Sequence, residues 1–408
     1  MNLQSNLGPS SFQVRNSVSS ACRVSKPEVS ALKSMAAKAL LALFDGAEML
    51  FSRRITLRER GFRREPGSPR RTVIALLGLQ CFAGSGERQP FDLPSIEKAV
   101  FQNKNWIRGI EDLGLLVQFA AEYNPDRLAS LADHFDFTTA LESFPDGREA
   151  RTAALSSFLA GISHAKLSRP DLLPDLTDVA VDTYRLLKDN QGRGGVFAHV
   201  GLPGLLHQPF SNRFGTIADQ MHAIYALTTF ARAFGVEEPL ADALNCANAI
   251  RALQGDKGQW WFLYDKRSCE VVNRYPVCSI YQDGMAPMAL LALAATTGQN
   301  FDDAIYSGLS WVAGANELSV DLRDSQRGII WDSIEPRSRI TNFREHALSI
   351  VQNSGKSHHD DLRIRFEARP DHFGWLLYAL TDFEGKAMSA KVANDSPFLG
   401  NPSDSCAR

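Results

Sequence analysis

Apolar residues along this chain recur mostly at helical spacing, and the strict alternation of a half-buried strand is rare. The stripe through Leu40, Leu43 and Phe44 predicts a helix over Lys33–Phe51, and Arg71–Cys81 reads as the buried start of another. Ile107–Tyr123 and Arg148–Ser163 continue the pattern before the breaks at Pro170 and Pro174. Beyond them the periodicity becomes regular, over Leu176–Asp189, Thr216–Phe234, Leu240–Leu253, Met285–Thr297 and Asp302–Ala315. Several of these segments carry their own boundary signals. Thr216 is placed to cap one helix and Gly235 to end it. Pro239 suits the first turn of the next, and Gly298 closes the very apolar Met285–Thr297 segment. Only Trp260–Tyr264 and Ile329–Ile334 read as short extended pieces. The fold class predicted is all-α.

A unit repeats within this pattern. Gln191, Gly195 and Phe197 follow one apolar helix, and Gln254, Gly258 and Trp260 follow another at the same spacing. A looser copy runs from Trp311 through Asn316 to Gly328 and Trp331. Glycine can make the backbone turn that leaves a helix. The glutamine amide can bond backbone groups freed at a helix end, and the aromatic ring can pack on the neighbouring repeat. Stacked helix pairs of this kind hide one another's apolar faces.

These residues resemble the QW repeats of the terpenoid cyclase and protein prenyltransferase superfamily. The resemblance covers about residues 175–335 and implies an α/α toroid, rings of inner and outer helices around a central cavity. The division expected is a disordered tail over 1–28, an N-terminal helical part over 29–170, toroid repeats over 171–385 and a disordered tail over 386–408. The N-terminal part either completes the ring or forms an accessory layer. The chemistry of that superfamily does not carry over. The chain has neither a DxDD acid nor an Asp-x-Cys zinc pair, and Asp178 with Asp182 or Asp360 with Asp361 does not supply one.

Composition narrows the field. The chain has 408 residues, 44% of them hydrophobic, and a formal net charge of −2, so the whole molecule carries no polyanion-binding signature. Charge is uneven, however: eight arginines against two glutamates fall between Arg53 and Arg71. Pro66, Gly67 and Pro69 mark that stretch as a loop, and it reads as a solvated, partly disordered face. Six scattered cysteines without a CxxC pair point to reduced thiols. With no secretory pattern and no apolar run near the roughly 20 residues that span a membrane, a cytoplasmic protein is expected.

Three segments gather charged, aromatic and glycine residues at the starts of apolar helices, where a toroid would bring them to one mouth. Asp283 stands out as a catalytic carboxylate, because it precedes the most apolar helix and would be desolvated there. A helix cap is the alternative reading of the same position. Asp219 and Glu367 are the candidate second carboxylates, with His222 and His372 beside them. Arg213, Arg274 and Arg369 offer forks for a carboxylate or phosphate, and Tyr281, Gln282 and Trp261 complete a substrate-binding set. The run His358-His359-Asp360-Asp361 is not read as a metal site, because adjacent side chains point apart.

Three functions are weighed. The first is an enzyme acting on a carbohydrate, anionic sugars included, by carboxylate acid/base chemistry; hydrolysis, elimination and epimerisation all fit. The second is a cyclase acting on isoprenoids, which the polar candidates and the missing DxDD disfavour. The third is a non-catalytic toroid that binds a ligand or partner. The expected partner is a small molecule or oligosaccharide rather than nucleic acid, with no cofactor. Oligomeric state is not legible.

Overall fold

The computed structural model describes residues 26–170, 176–200, 212–337 and 361–381. Among them, the helices of eight residues or more are α1 (Lys26–Leu43), α2 (Pro69–Gly84), α3 (Leu93–Gln102), α4 (Ile110–Tyr123), α5 (Arg127–His134) and α6 (Thr152–Ser168). They continue with α7 (Thr177–Asp189), α8 (Ile217–Phe234), α9 (Glu238–Ala252), α10 (Ala286–Thr297), α11 (Asp302–Val312) and α12, over 370–381. Odd-numbered and even-numbered helices differ in how they are buried. α7 hides one stripe, Val179, Ala180, Thr183, Tyr184 and Leu187, as an outer helix does. α2 is buried continuously from Thr72 to Leu79, which requires neighbours on all sides.

The even-numbered helices are the inner ring of an α/α toroid. Backbone glycines let them approach closely. A Cβ added at Gly114 of α4 would fall 2.3 Å from the Ser157 carbonyl oxygen of α6, and one at Gly161 would fall 2.3 Å from that of Gly114. α6 packs on α8, and α8 on α10. His372 of α12 bonds Asp283, just before α10, at 2.6 Å. The ring closes where Gly374 of α12 meets α2: a Cβ at Gly78 would lie 2.2 Å from the Gly374 carbonyl oxygen. Residues from both sides of position 170 therefore build one ring.

The Gln-Gly-aromatic turns have the same geometry twice. Gln191 donates to the carbonyls of Gly195 (2.9 Å) and Asp242 (3.0 Å), and Gln254 donates to those of Gly258 (3.0 Å) and Ala304 (2.9 Å). Each amide thus ties its own turn to the next outer helix. Gly195 and Gly258 sit at φ 95° and 89°, a region that disfavours other residues. Phe197 and Trp260 are fully buried behind them.

Two expectations are corrected. The first helix stops at Leu43 rather than Phe51, because Asp45 caps a turn at Ala47 and Phe44–Asp45 pairs back onto Leu50–Phe51. The Arg-rich stretch is a β-hairpin before it is a loop. Ile55–Arg58 pairs with Gly61–Arg64 and also with Glu367–Ala368, and the loop at Pro66 and Gly67 follows. Asp360 and the two histidines before it lie outside the described residues, as do both tails apart from the residues of α1. No helix among the described residues is long and apolar enough to cross a membrane.

Candidate active site

The inner ring encloses a cavity of about 380 Å³ at the end where the inner helices begin, within the usual size of a small-molecule site. First-turn residues form much of its wall: Arg70 and Arg71 of α2, Glu111 of α4, Ala218 of α8 and Asp371 of α12. Local sequence puts them there. Ser68 caps α2 by accepting from the Arg71 amide at 3.4 Å, with Pro69 in the first turn, so the two arginines that follow stand at the mouth. In the same way Asp371 directly follows Pro370 at the start of α12. Arg53, from the base of the hairpin, and Arg369 complete the charged wall, with His222, Tyr225, Tyr281 and Gln118 among its other polar members.

Cations outnumber carboxylates on this wall. Arg70 is bonded to both Glu111 and Asp112. Burial opposes its charge, but the two carboxylates outweigh burial and raise its pKa. Burial likewise pushes Glu111 upward, and Arg70 reverses this, holding Glu111 below the usual carboxylate range. Asp112 goes the other way, because burial outweighs its share of Arg70. Arg369 faces Asp332 at 3.0 Å and Asp371 at 4.0 Å, and these acids overcome its burial and raise its pKa. Asp371 is held low by Arg369 and Arg71, although burial pushes the other way.

Arg71 is under-compensated. It meets Asp371 at 3.4 Å and donates to the Arg53 carbonyl. Burial and the neighbouring charges of Arg369 and Arg53 nevertheless lower its pKa. The Nε of Arg369 and the Oδ1 of Asp371 are buried with no hydrogen bond of good geometry, although both lie within ion-pair distance of partners. A wall with four arginines against Glu111 and Asp371 carries surplus positive charge and suits an anion.

Of the residues singled out from sequence, His222, Tyr281 and Arg369 reach the cavity. Burial lowers the pKa of His222, which favours the neutral ring, and raises that of Tyr281, which keeps its proton. The others are not on the cavity wall. Asp283 is fully buried and accepts from His372, itself 1% exposed. Asp219 accepts from the Thr216 amide and hydroxyl, both at 2.8 Å, in a capping box, and its other oxygen faces His199 at 3.1 Å. Glu367 pairs with Arg54 at 3.1 Å, and Arg213 bonds Asp265 at 2.8 Å. Arg274 lies over the Trp261 ring, 5.3 Å from its centre. Gln282 donates to the Trp260 carbonyl at 3.4 Å and accepts from its amide at 3.2 Å.

Arg53, Arg70, Arg71 and Glu111 were missed by sequence reasoning. For the arginines the available signal was their clustering on both sides of a Ser-Pro helix start.

No family model matches the chain, and no curated protein matches it by sequence. Solved structures do align with it over most of its length. A possible member of GH105 family from Salmonella enterica serovar Paratyphi A is 12% identical, with a TM-score of 0.56, over 89% of this chain and 95% of that one. The unsaturated glucuronyl hydrolase from Bacillus sp. GL1, described as responsible for the degradation of glycosaminoglycan, is 14% identical with a TM-score of 0.56, over 87% and 96%. A sugar epimerase from ruminal bacterium is 10% identical with a TM-score of 0.58, over 87% and 98%. At such identities the likeness is one of fold.

Proposed function

We propose that this chain is a carbohydrate-active enzyme that takes the anionic sugar of its substrate, a uronate, into the toroid cavity and hydrolyses the glycosidic bond beside it. The observation that carries this reading is Arg71, a cation with too little negative charge around it on the cavity wall. A sugar carboxylate between Arg71 and Arg369 would supply the missing charge through charge-assisted bonds to their guanidinium groups. Toroids described as unsaturated glucuronyl hydrolases share the fold, which supports the same substrate class.

Glu111 and Asp371 are the two carboxylates assigned to chemistry. In the free protein both are held in the charged form by arginines. A bound uronate competes with Asp371 for Arg71 and Arg369, and its own negative charge raises the pKa of Asp371. Asp371 takes up a proton from solvent as the uronate binds and gives it to the leaving sugar oxygen as the glycosidic C–O bond breaks. Glu111, still paired with Arg70, takes a proton from the attacking water, and that oxygen becomes the new anomeric hydroxyl. Tyr281 and His222 orient the sugar. Asp283 with His372, and Asp219 with Thr216, support the ring rather than touch the substrate.

Epimerisation is the second reading. It rests on His222, a neutral base on the same wall, and on the epimerase among the structures that share the fold. One experiment separates the two. The purified protein is incubated with unsaturated and saturated uronyl disaccharides in deuterated water. Hydrolysis liberates a new reducing end and leaves carbon-bound hydrogens of the saturated sugar in place, whereas epimerisation exchanges a carbon-bound hydrogen without cleaving the disaccharide. Absence of both across the panel overturns the enzymatic reading.

A further inference from the structure

The Arg-rich hairpin is only partly used by the cavity. Its base supplies Arg53 to the wall, and its third strand, Glu367–Ala368, runs straight into Arg369 and Asp371. Its outer part does something else. All four residues of Gly61–Arg64 are exposed. Thr56 lies opposite Arg63, so Arg58 and Arg63 share one face, and Arg60 occupies the turn between the strands. Among the described residues, no hydrogen bond or ion pair to a carboxylate engages Arg58, Arg60 or Arg63. The opposite face carries Phe62, 40% exposed, and Phe366, across Leu57 at the other edge of the sheet, is 46% exposed. Phe366 is fixed there by its carbonyl bond to the Leu57 amide at 2.9 Å and by its edge contact with Trp331.

Like charges repel one another, and three exposed arginines with one acid among them, Glu59, leave a net positive patch that an anionic ligand would neutralise. We propose that this hairpin is an outer binding surface for the distal sugars of an acidic polysaccharide whose terminal unit occupies the cavity. Carboxylates or sulfates of the chain pair with Arg58, Arg60 and Arg63. The hairpin's two strands stand about 13 Å long, at the usual rise of a strand, and Arg53 at their base lies on the cavity wall. The inference rests on the reading of the cavity as a uronate site, which the short-ligand arm of the test below checks separately.

The test compares binding of long and short ligands by the full chain and two variants. The long ligands are heparin and polygalacturonate, one sulfated and one purely uronic, and the short ones are unsaturated uronyl disaccharides. Wild type is expected to bind at least one polymer more tightly than any disaccharide, and the difference is expected to shrink as salt rises. The triple variant Arg58→Glu, Arg60→Glu and Arg63→Glu is expected to lose about tenfold in polymer affinity, the sum of three exposed ion pairs, and to keep its disaccharide affinity. The triple lysine variant at the same positions restores polymer binding, which separates lost charge from lost folding. Equal polymer affinity in wild type and the glutamate variant overturns the proposal. So does a mixed-sequence DNA duplex that outcompetes both polymers. Loss of disaccharide binding in wild type condemns the cavity reading instead and leaves the polymer comparison readable.

Discussion

Arg71 of the first inner helix and Asp371 of the last face each other at 3.4 Å across the seam where the ring closes. One ion pair therefore joins the two ends of the ring and also forms part of the cavity wall. Replacing Asp371 by Asn should act in opposite directions on two measurements. Denaturant unfolding should show a loss of about 2 kcal/mol, because a largely buried cation loses its partner. Affinity for a free uronate should rise severalfold, because a like charge has left the wall, while turnover falls through loss of the proton donor.

The seam also depends on bare backbone. A methyl at Gly78 would sit 2.2 Å from the Gly374 carbonyl oxygen, so Gly78→Ala must push α2 and α12 apart. A cost of about 1–3 kcal/mol is expected, as for other overpacked contacts. Gly84→Ala, at the far end of the same helix, meets nothing within 4 Å and should be neutral or slightly stabilising, by a few tenths to about 1 kcal/mol. Thermal unfolding of the two variants side by side checks this.

His199 gives the fold a pH dependence. Its hydrogen bond to Asp219 raises its pKa above the ordinary histidine value. A folded pKa above the unfolded one means the stabilisation is whole below about pH 6.5 and fades as pH climbs through the folded value. His199→Gln should therefore lower the melting temperature more at about pH 5.5 than at about pH 8.5. An equal loss at both would show that the pair contributes nothing through its charge.

Asp283 and His372 offer a test of position. Removing His372 alone leaves the Asp283 carboxyl, one oxygen of which already lacks a protein partner, without its partner in a fully buried site. His372→Ala should cost about 3 kcal/mol or more, and pairing it with Asp283→Leu should recover part of that loss. Because neither side chain lines the cavity, variants that remain folded should keep the wild-type KM. A large rise in KM would bring Asp283 back to the substrate.

Much of the fold was legible in local signals. The Thr216 cap with Asp219 three residues on, the stop at Gly235 and the paired glutamine turns are short-range patterns, and each has the geometry its residues imply. The cavity was harder to read. Asp283 looked desolvated from its apolar neighbours, and it is fully buried, but its partner is His372, some ninety residues away, and it is not among the residues that line the cavity. The hairpin at Ile55–Arg64 gave no strand signal, since its arginines mask the alternation of Ile55 and Leu57. A third strand from Glu367–Ala368 holds it in place, and a contact that distant leaves no trace in local periodicity. Arg71 was hidden for the same reason: its charge surplus exists only once Arg369 has been brought beside it.

The account stands on Arg71 as the cation that receives a sugar's carboxylate. Isothermal titration of wild type and Arg71→Gln with a uronyl disaccharide, and with the neutral disaccharide that lacks only the carboxylate, measures this directly. Wild type should bind the uronyl sugar at least about tenfold more tightly than the neutral one, a difference worth one charge-assisted pair, and Arg71→Gln should erase the preference. Equal affinity of wild type for both sugars, or a preference that survives the substitution, would contradict it.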